Sequence, residues 1–281
     1  MTEIAGKAAV VTGGGSGMGR GIALQLAKEG ARVVVADIIE ANAEKVAQEI
    51  RDRGGEAIAL GCDVSDRVSV RAMKAKANAA YGPILIVIPN AGATSFKRMK
   101  DVDDTEIDWI IQVNLMGVLN FIQIFLPDML AAKEGHFVAS ASVAGFIPTL
   151  APDHVPYTAA KMGIIGAMLN LRRELEGTGV QSTVFTVASI QSNMGANNSS
   201  YRPARFGGPY DEKVEVPANF TPPPRKDPEE VAPMVTFAIR NNRPMLISDP
   251  IHRKNFEEQY LPIAMQAFDD VDAFYAAKTG A

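Results

Sequence analysis

Tyr157 and Lys161 stand four residues apart in Val155-Pro-Tyr-Thr-Ala-Ala-Lys161, and Ser142 lies upstream in Ser140-Ala-Ser-Val-Ala-Gly145. Residues at i and i+4 share one face of a helix. A phenol and an ammonium held side by side make an acid/base pair. The chain also opens with Val10-Val-Thr-Gly-Gly-Gly-Ser-Gly-Met-Gly19, a glycine-rich turn after an apolar strand. Such turns bring backbone N–H groups close to a pyrophosphate, and the following helix N-terminus favours negative charge. A nucleotide cradle and a polarised tyrosine in one chain point to hydride transfer between a carbonyl or alcohol and a nicotinamide.

The cradle glycines are Gly13, Gly17 and Gly19, with Ser16 and Met18 between them. A glycine cluster alone also suits a plain strand–helix turn. Asp37 adds weight to the nucleotide reading. It stands 20 residues after Gly17, at the end of the second strand, where an acid accepts the ribose hydroxyls of NAD. A carboxylate there repels the 2′-phosphate of NADP. Arg32 begins that strand and belongs at its far end. Asp63, in Cys62-Asp-Val-Ser-Asp66, follows the third strand, with Val64 beside it. It reads either as an acceptor for the adenine amino group or as a helix cap, and Asp66 is the better cap.

Strands and helices must alternate to position these groups. The apolar and β-branched runs Ala8–Thr12, Arg32–Ala36, Glu56–Gly61, Ile84–Ile88, Gly135–Ser140 and Val180–Val187 read as strands. Arg20–Glu29, Ala41–Arg53, Asp66–Ala80, Thr105–Ala132 and Pro156–Glu176 read as helices, with Pro127 expected to bend or end the long one. This alternation predicts an α/β fold: a single-domain, Rossmann-like, doubly wound parallel sheet with helices on both faces. From about 192 to 226 the periodicity fades into Pro, Gly, Asn and aromatic residues, as in a functional loop. Asp227-Pro-Glu-Glu starts another helix, Met245–Ile247 reads as a last short strand, and about 252–277 as an amphipathic helical tail. One domain over 1–281 is expected.

Composition narrows the classes. Apolar residues make up 47% and charged residues 21% of the 281 residues, as in a folded globular chain. Lys plus Arg is 28 and Asp plus Glu is 32, a net −4 that offers no general attraction to nucleic acid or anionic membrane. No apolar run is expected to span a membrane, and the N-terminus does not read as a signal peptide. The single cysteine, Cys62, has no disulfide partner, and the three histidines lack ligand spacing. A cytoplasmic, metal-free protein is the expectation. His154 reads as a surface-loop histidine despite lying three residues before Tyr157.

From about Gly6 to Ser192 the chain resembles the short-chain dehydrogenase/reductase family. The resemblance rests on Thr12-Gly-Gly-Gly-Ser-Gly-Met-Gly19, Asp63, Asn90-Ala-Gly92, Asn114, Ser142 and Tyr157-x-x-x-Lys161, in that order. It implies a general acid/base role for Tyr157 and a hydroxyl at Ser142 that holds the substrate oxygen. It implies that Lys161 binds the nicotinamide ribose and lowers the tyrosine pKa. Asn114 would hold a water linking Lys161 to solvent, and Asn90, Ala91 and Gly92 would lie beneath the adenosine ribose. Homodimers or homotetramers are implied too. A free tyrosine has a pKa of about 10, so a base near neutrality needs a shift of roughly 3 units. One ammonium about 4 Å away supplies on the order of 4 kcal/mol at an effective dielectric near 20. The oxidised nicotinamide adds a second positive charge.

The chain also departs from the family pattern. Ser142 and Tyr157 are two residues further apart than expected, within Phe146-Ile-Pro-Thr-Leu-Ala-Pro-Asp-His154. Val187-Ala188 replaces the usual Pro-Gly, so the backbone at Ile190 is left to hold the carboxamide and Ser192 to approach the pyrophosphate. The usual glycine-rich ending is missing. Ala188-Ser-Ile-Gln-Ser-Asn-Met194, Arg202-Pro-Ala-Arg-Phe-Gly207 and the tail resemble the bacterial Cα-dehydrogenases that oxidise benzylic alcohols of lignin-derived aryl ethers with NAD. Phe146, Tyr201, Phe206, Tyr210 and Phe220 are expected either to line an aromatic substrate pocket or to anchor the loop. Arg202 and Arg205 read as solvated loop charges first and as binders of a substrate carboxylate or phenolate second.

These readings converge on an NAD-dependent oxidoreductase that interconverts a secondary, aromatic or benzylic, alcohol and its ketone. An NADP-dependent carbonyl reductase is the alternative. A non-catalytic dinucleotide-binding or scaffolding protein is the reading from a different class.

Overall fold

All five residues of β1 (Ala8–Thr12) are buried, because both faces of the sheet are covered. Ala8 and Val10 meet one apolar cluster, with Phe121 and Phe125; Ala9 and Val11 meet the other, with Ile22 and Leu26. The alternation is that of a strand sandwiched between helical layers. In this computed structural model, residues 2–192, 194–196, 200–210 and 224–279 are described.

Seven strands form one sheet in the order β3-β2-β1-β4-β5-β6-β7. Besides β1 they are β2 (Arg32–Asp37), β3 (Glu56–Gly61), β4 (Ile84–Ile88), β5 (Gly135–Ser142), β6 (Val180–Val187) and β7 (Met245–Ile247). Every paired neighbour runs parallel. The winding reverses between β1 and β4, which opens a crevice at the carboxyl ends of the strands. The helices α1 (Gly17–Lys28), α2 (Glu40–Asp52), α3 (Arg67–Tyr81), α4 (Asp104–Ile111), α5 (Gly117–Ala132), α6 (Val143–Phe146) and α7 (Val155–Glu174) follow in chain order. Later come short helices over Pro228–Val231 and Pro233–Arg240 and a tail helix over Leu261–Thr279. The expected doubly wound fold is the one found.

Several expected boundaries shift. The first helix begins at Gly17 rather than Arg20, and β5 runs on to Ser142. Thr105–Ala132 is interrupted by a π turn over Gln112–Met116, not by Pro127, which stays inside α5. Proline removes one N–H, whereas Phe121, Phe125 and Met129 on α5 are fully buried and hold its path. The run Asp104–Ala132 is also long and apolar enough to match a membrane span, contrary to the sequence expectation. Half of its most apolar stretch is buried inside the protein. Along the tail helix, Ile263, Phe268, Val271 and Phe274 are all more than half exposed and meet no core among the described residues.

Candidate active site

The turn after β1 works by close approach. A Cβ on Gly19 would sit 2.1 Å from the Gly13 carbonyl oxygen, so only glycine lets α1 start that close to the strand. Ser192 packs on the other side of the turn, its Cβ 3.0 Å from where a Gly17 Cβ would be. At the end of β4, Asn90 binds β1 through Thr12: its N–H donates to Thr12 Oγ1 at 2.9 Å and its Nδ2 to the Thr12 carbonyl at 3.0 Å. Ser140 Oγ donates to Asn90 Oδ1 at 2.9 Å, so one amide holds three strand ends in register.

At the end of β2, Asp37 Oδ2 accepts from the Gly15 N–H and Oδ1 from the Ile39 N–H, both at 3.0 Å. Burial pushes this carboxyl above its ordinary range, against the pull of those N–H groups. Arg32 lies at the far end of the strand, donating to the Gly6 carbonyl. Asp66 caps α3 by accepting from the Val68 N–H. Asp63 is therefore released from capping, and its Oδ1 accepts from Ser65 instead.

β5 and α7 deliver the other half of the site. Ser142 ends β5 and caps α6, its Oγ accepting from the Ala144 N–H at 3.2 Å. A Cβ on Gly145 would lie 2.5 Å from the Lys161 carbonyl carbon. The Ser-Val-Ala-Gly sequence thus lets α6 touch α7 beside Lys161. Lys161 is buried, donates from Nζ to the Ser140 carbonyl at 2.9 Å, and lies 5.5 Å from the Tyr157 ring centroid. The π turn carries Asn114, which is fully buried. Its Nδ2 donates to the Ala93 and Ile110 carbonyls, both at 2.8 Å, while Oδ1 has no partner among the described residues. A Cβ on Gly92 would meet that oxygen at 3.0 Å and Lys161 Nζ at 3.6 Å, so glycine keeps the gap between them open.

Burial governs the charges. It pushes the Tyr157 phenol up to about 12, with the Ser142 hydroxyl pulling it back a little. It pushes Lys161 down to about 7. The expected lowering of the phenol by a full ammonium is not seen in the chain alone. The reason is that the low-dielectric setting penalises phenolate and ammonium alike.

These groups face one cavity of about 550 Å³. Gly13, Ser16, Gly17, Met18, Asp37, Asp63, Val64, Asn90, Ala91, Gly92, Ile190 and Ser192 line it at one end, and Ser142, Tyr157 and Lys161 line it too. Gly19 and Asn114 lie behind this wall. The residues fit a dinucleotide. The glycine turn leaves no room for side chains, and an acid ends β2. The bridge between Ile190 and Lys226 pairs through the Ser189 carbonyl and the Gln191 N–H. That leaves the N–H and carbonyl of Ile190 itself out of the ladder, able to hold an amide.

The expected substrate aromatics are placed differently. Phe146 stacks on Phe256 of the tail, centroids 4.8 Å apart, and does not line the cavity. Phe206 is buried behind the wall with Trp109 and Tyr157. Tyr210 lies over Lys97, whose Nζ donates to its hydroxyl at 3.0 Å. Tyr201 does line the cavity, but beside Asn42 near the end of β2 rather than near Ser142. Phe220 lies outside the described residues. The aromatic wall is built instead by Phe96, Trp109 and His154, with Val113, Val143 and Met194. Sequence reasoning missed these because they come from three separate segments; the one local signal was the position of His154, three before Tyr157. His154 is buried, not a surface histidine. Arg202 is likewise buried rather than solvated, donating to Thr105 Oγ1 at 2.6 Å and to the Phe206 carbonyl.

A parallel sheet with a glycine turn at its switch point, a β2 acid and a Ser–Tyr–Lys cluster in one cavity is the arrangement of a Rossmann-type oxidoreductase. The short chain dehydrogenase family model matches residues 7–202, and the chain belongs to that family. The chain is 32% identical to a C alpha-dehydrogenase of Sphingobium sp. strain SYK-6, over 94% of this chain and 87% of that one. The apo crystal structure of LigD from the same strain is similar, with TM-score 0.77 and 28% identity over 93% of this chain and 97% of that one. A short chain dehydrogenase/reductase from Burkholderia phymatum, solved with NAD, matches with TM-score 0.85 and 26% identity over 95% and 97% of the two chains. Within the family the resemblance is thus to the Cα-dehydrogenase branch.

Proposed function

We propose that this chain is an NAD-dependent alcohol dehydrogenase that interconverts a secondary benzylic alcohol and its ketone. The observation that carries the reading is the Tyr157 phenol, held with Ser142 and Lys161 in a cavity that Phe96, Trp109, Val113, Val143 and Met194 also line. Such side chains bury an aryl group and leave the hydroxyl to Ser142 and Tyr157.

Ser142 Oγ and the Tyr157 hydroxyl hold the reacting oxygen between them. In ketone reduction the phenol donates its proton to that oxygen, and its high pKa keeps the proton in place until then. In alcohol oxidation the same oxygen takes the hydroxyl proton. A bound oxidised nicotinamide would supply the hydride acceptor and a positive charge favouring phenolate. Lys161, with its pKa near neutrality, exchanges the proton onward, and Asn114 Oδ1 holds a water beside it to reach solvent. Asp37 accepts the adenosine ribose hydroxyls and disfavours a 2′-phosphate. The turn at Ser16–Gly19 holds the pyrophosphate, and Ile190 the carboxamide.

A homodimer or homotetramer working in the cytoplasm is part of this reading. The partly exposed apolar side chains Met162 and Leu169 on α7 support the assembly.

The test is a panel of aryl and alkyl secondary alcohols and ketones with NAD and NADP, run beside Tyr157→Phe. We expect turnover of benzylic alcohols with NAD, a loss of about 10²–10⁴-fold in Tyr157→Phe, and NADH binding nearly unchanged. Tight NADH binding without turnover on any member of the panel would instead favour a non-catalytic dinucleotide-binding protein.

A further inference from the structure

We infer that Tyr201 and Arg205 form the outer wall of an adenosine subsite, so that the segment after β6 grips the cofactor as well as the substrate. The inference rests on the reading of the cavity as a dinucleotide site.

Residues 200–210 cross the cleft and touch residues that follow β2 and β3. The Tyr201 hydroxyl accepts from Asn42 Nδ2 at 3.4 Å, beside the end of β2. Arg205 Nη2 donates to Asp63 Oδ2 and to Ser65 Oγ, both at 2.6 Å, just beyond β3. Asp37, Asn42, Asp63 and Tyr201 all line the same cavity. An adenosine seated between Asp37 and Asp63 therefore lies under a phenol and next to a guanidinium. Both suit a purine. A ring stacks on the phenol or on the planar guanidinium, and Asp63 has lone pairs to share between Arg205 and an amino group.

The two sides of the segment are built differently. Arg202 and Phe206 anchor it deeply, the first on Asp103 and Thr105, the second against Trp109 and Tyr157. Tyr201 and Arg205 are tied nearer the surface, with Arg205 also lying over the Phe206 ring at 4.7 Å. Arg205 is about half exposed (side chain 47%), and the Tyr201 bond is long. Exposed ion pairs and long hydrogen bonds exchange readily for a ligand. A segment fixed on its catalytic side and tied near the surface on its adenosine side can admit adenosine without losing its place beside the phenol.

The test is binding of ADP-ribose and of NADH to the full chain by calorimetry, for wild type, Arg205→Met, Arg205→Lys and Tyr201→Ala. Arg205→Met and Tyr201→Ala are expected to weaken both ligands alike, by about tenfold each. Arg205→Lys keeps the charge without the fork and should recover part of the loss. Wild-type affinity for ADP-ribose in both Arg205→Met and Tyr201→Ala would overturn the inference. So would a rise in the alcohol KM alone, which would make these residues part of the substrate site. Failure of the wild type itself to bind ADP-ribose would instead sink the dinucleotide reading beneath it.

Discussion

The His154 imidazole lies flat on the Tyr157 ring, centroids 4.4 Å apart and planes 13° from parallel. Phe96 stacks on the other side of the imidazole at 4.6 Å, and Thr94 Oγ1 holds Nε2 at 2.7 Å. The phenol is thus the end plate of a three-ring stack whose middle ring is pinned at its edge. We expect His154→Ala to lower kcat by about tenfold, because stacked pairs contribute roughly 0.5–1.5 kcal/mol and set the ring plane. His154→Phe, which keeps the stack, should recover most of that rate. Steady-state kinetics on the two variants decide it; equal losses in both would mean that the imidazole matters for its nitrogen and not for its plane.

The same histidine makes stability sensitive to acid. Burial holds it down to about 4 from an ordinary 6.5, and its Nδ1 is buried with no partner among the described residues. Between those two values the unfolded chain binds more protons than the folded one, so stability falls as the pH drops from about 6.5 to about 4. At its steepest the loss approaches about 1.4 kcal/mol per pH unit. Urea midpoints across this range should decline less steeply in His154→Phe than in the wild type. Parallel declines would show that the imidazole is charged in the folded state.

Lys161 shifts stability at the other end of the scale. Its folded pKa of about 7 lies below the unfolded value near 10.5. The unfolded chain then holds the extra proton between these limits, and the wild type gains stability as the pH rises through them. Compared with Lys161→Met, the wild type should be relatively least stable near pH 6 and improve steadily toward pH 10. A pH-independent difference between the two would mean that the ammonium is not desolvated.

Cofactor choice is expected to hang on Asp37. Its two oxygens are oriented by the Gly15 and Ile39 N–H groups, so the charge is held at a defined point at the end of β2. A like charge brought against it costs several kcal/mol. Asp37→Ser should lower the NAD over NADP ratio of kcat/KM by on the order of 100-fold. A ratio unchanged within about threefold would show that another group discriminates between the cofactors.

Much of the fold was legible because its signals are local. The runs Glu56–Gly61, Ile84–Ile88, Val180–Val187 and Met245–Ile247 are strands with the expected limits, since most of these β-branched and apolar runs meet Gly, Pro or polar neighbours at their ends. The gathering of Ser142, Tyr157, Lys161 and Asn114 was also expected, because helical spacing and family motifs encode it. The π turn at Gln112–Met116 was not, since its local pattern reads as ordinary helix until Asn114 turns inward to the Ala93 carbonyl. Whether the aromatics Tyr201, Phe206 and Tyr210 line the cavity or anchor the loop was left open for a related reason. Without periodicity, nothing in sequence tells whether a ring faces the cavity, as Tyr201 does, or turns to a lysine 113 residues away, as Tyr210 does.

By itself the sequence determined the parallel order of elements, the glycine turn with its acid 20 residues on, and the one-face spacing of Tyr157 and Lys161. Each follows from repeats of two, 3.6 or four residues, and these survive any packing. Only the tertiary structure decided that His154 lies on Tyr157, that burial raises the phenol and lowers the amine, and that Arg205 reaches Asp63. Those outcomes depend on which distant surfaces meet and how much water they expel, and no short stretch of chain carries that information.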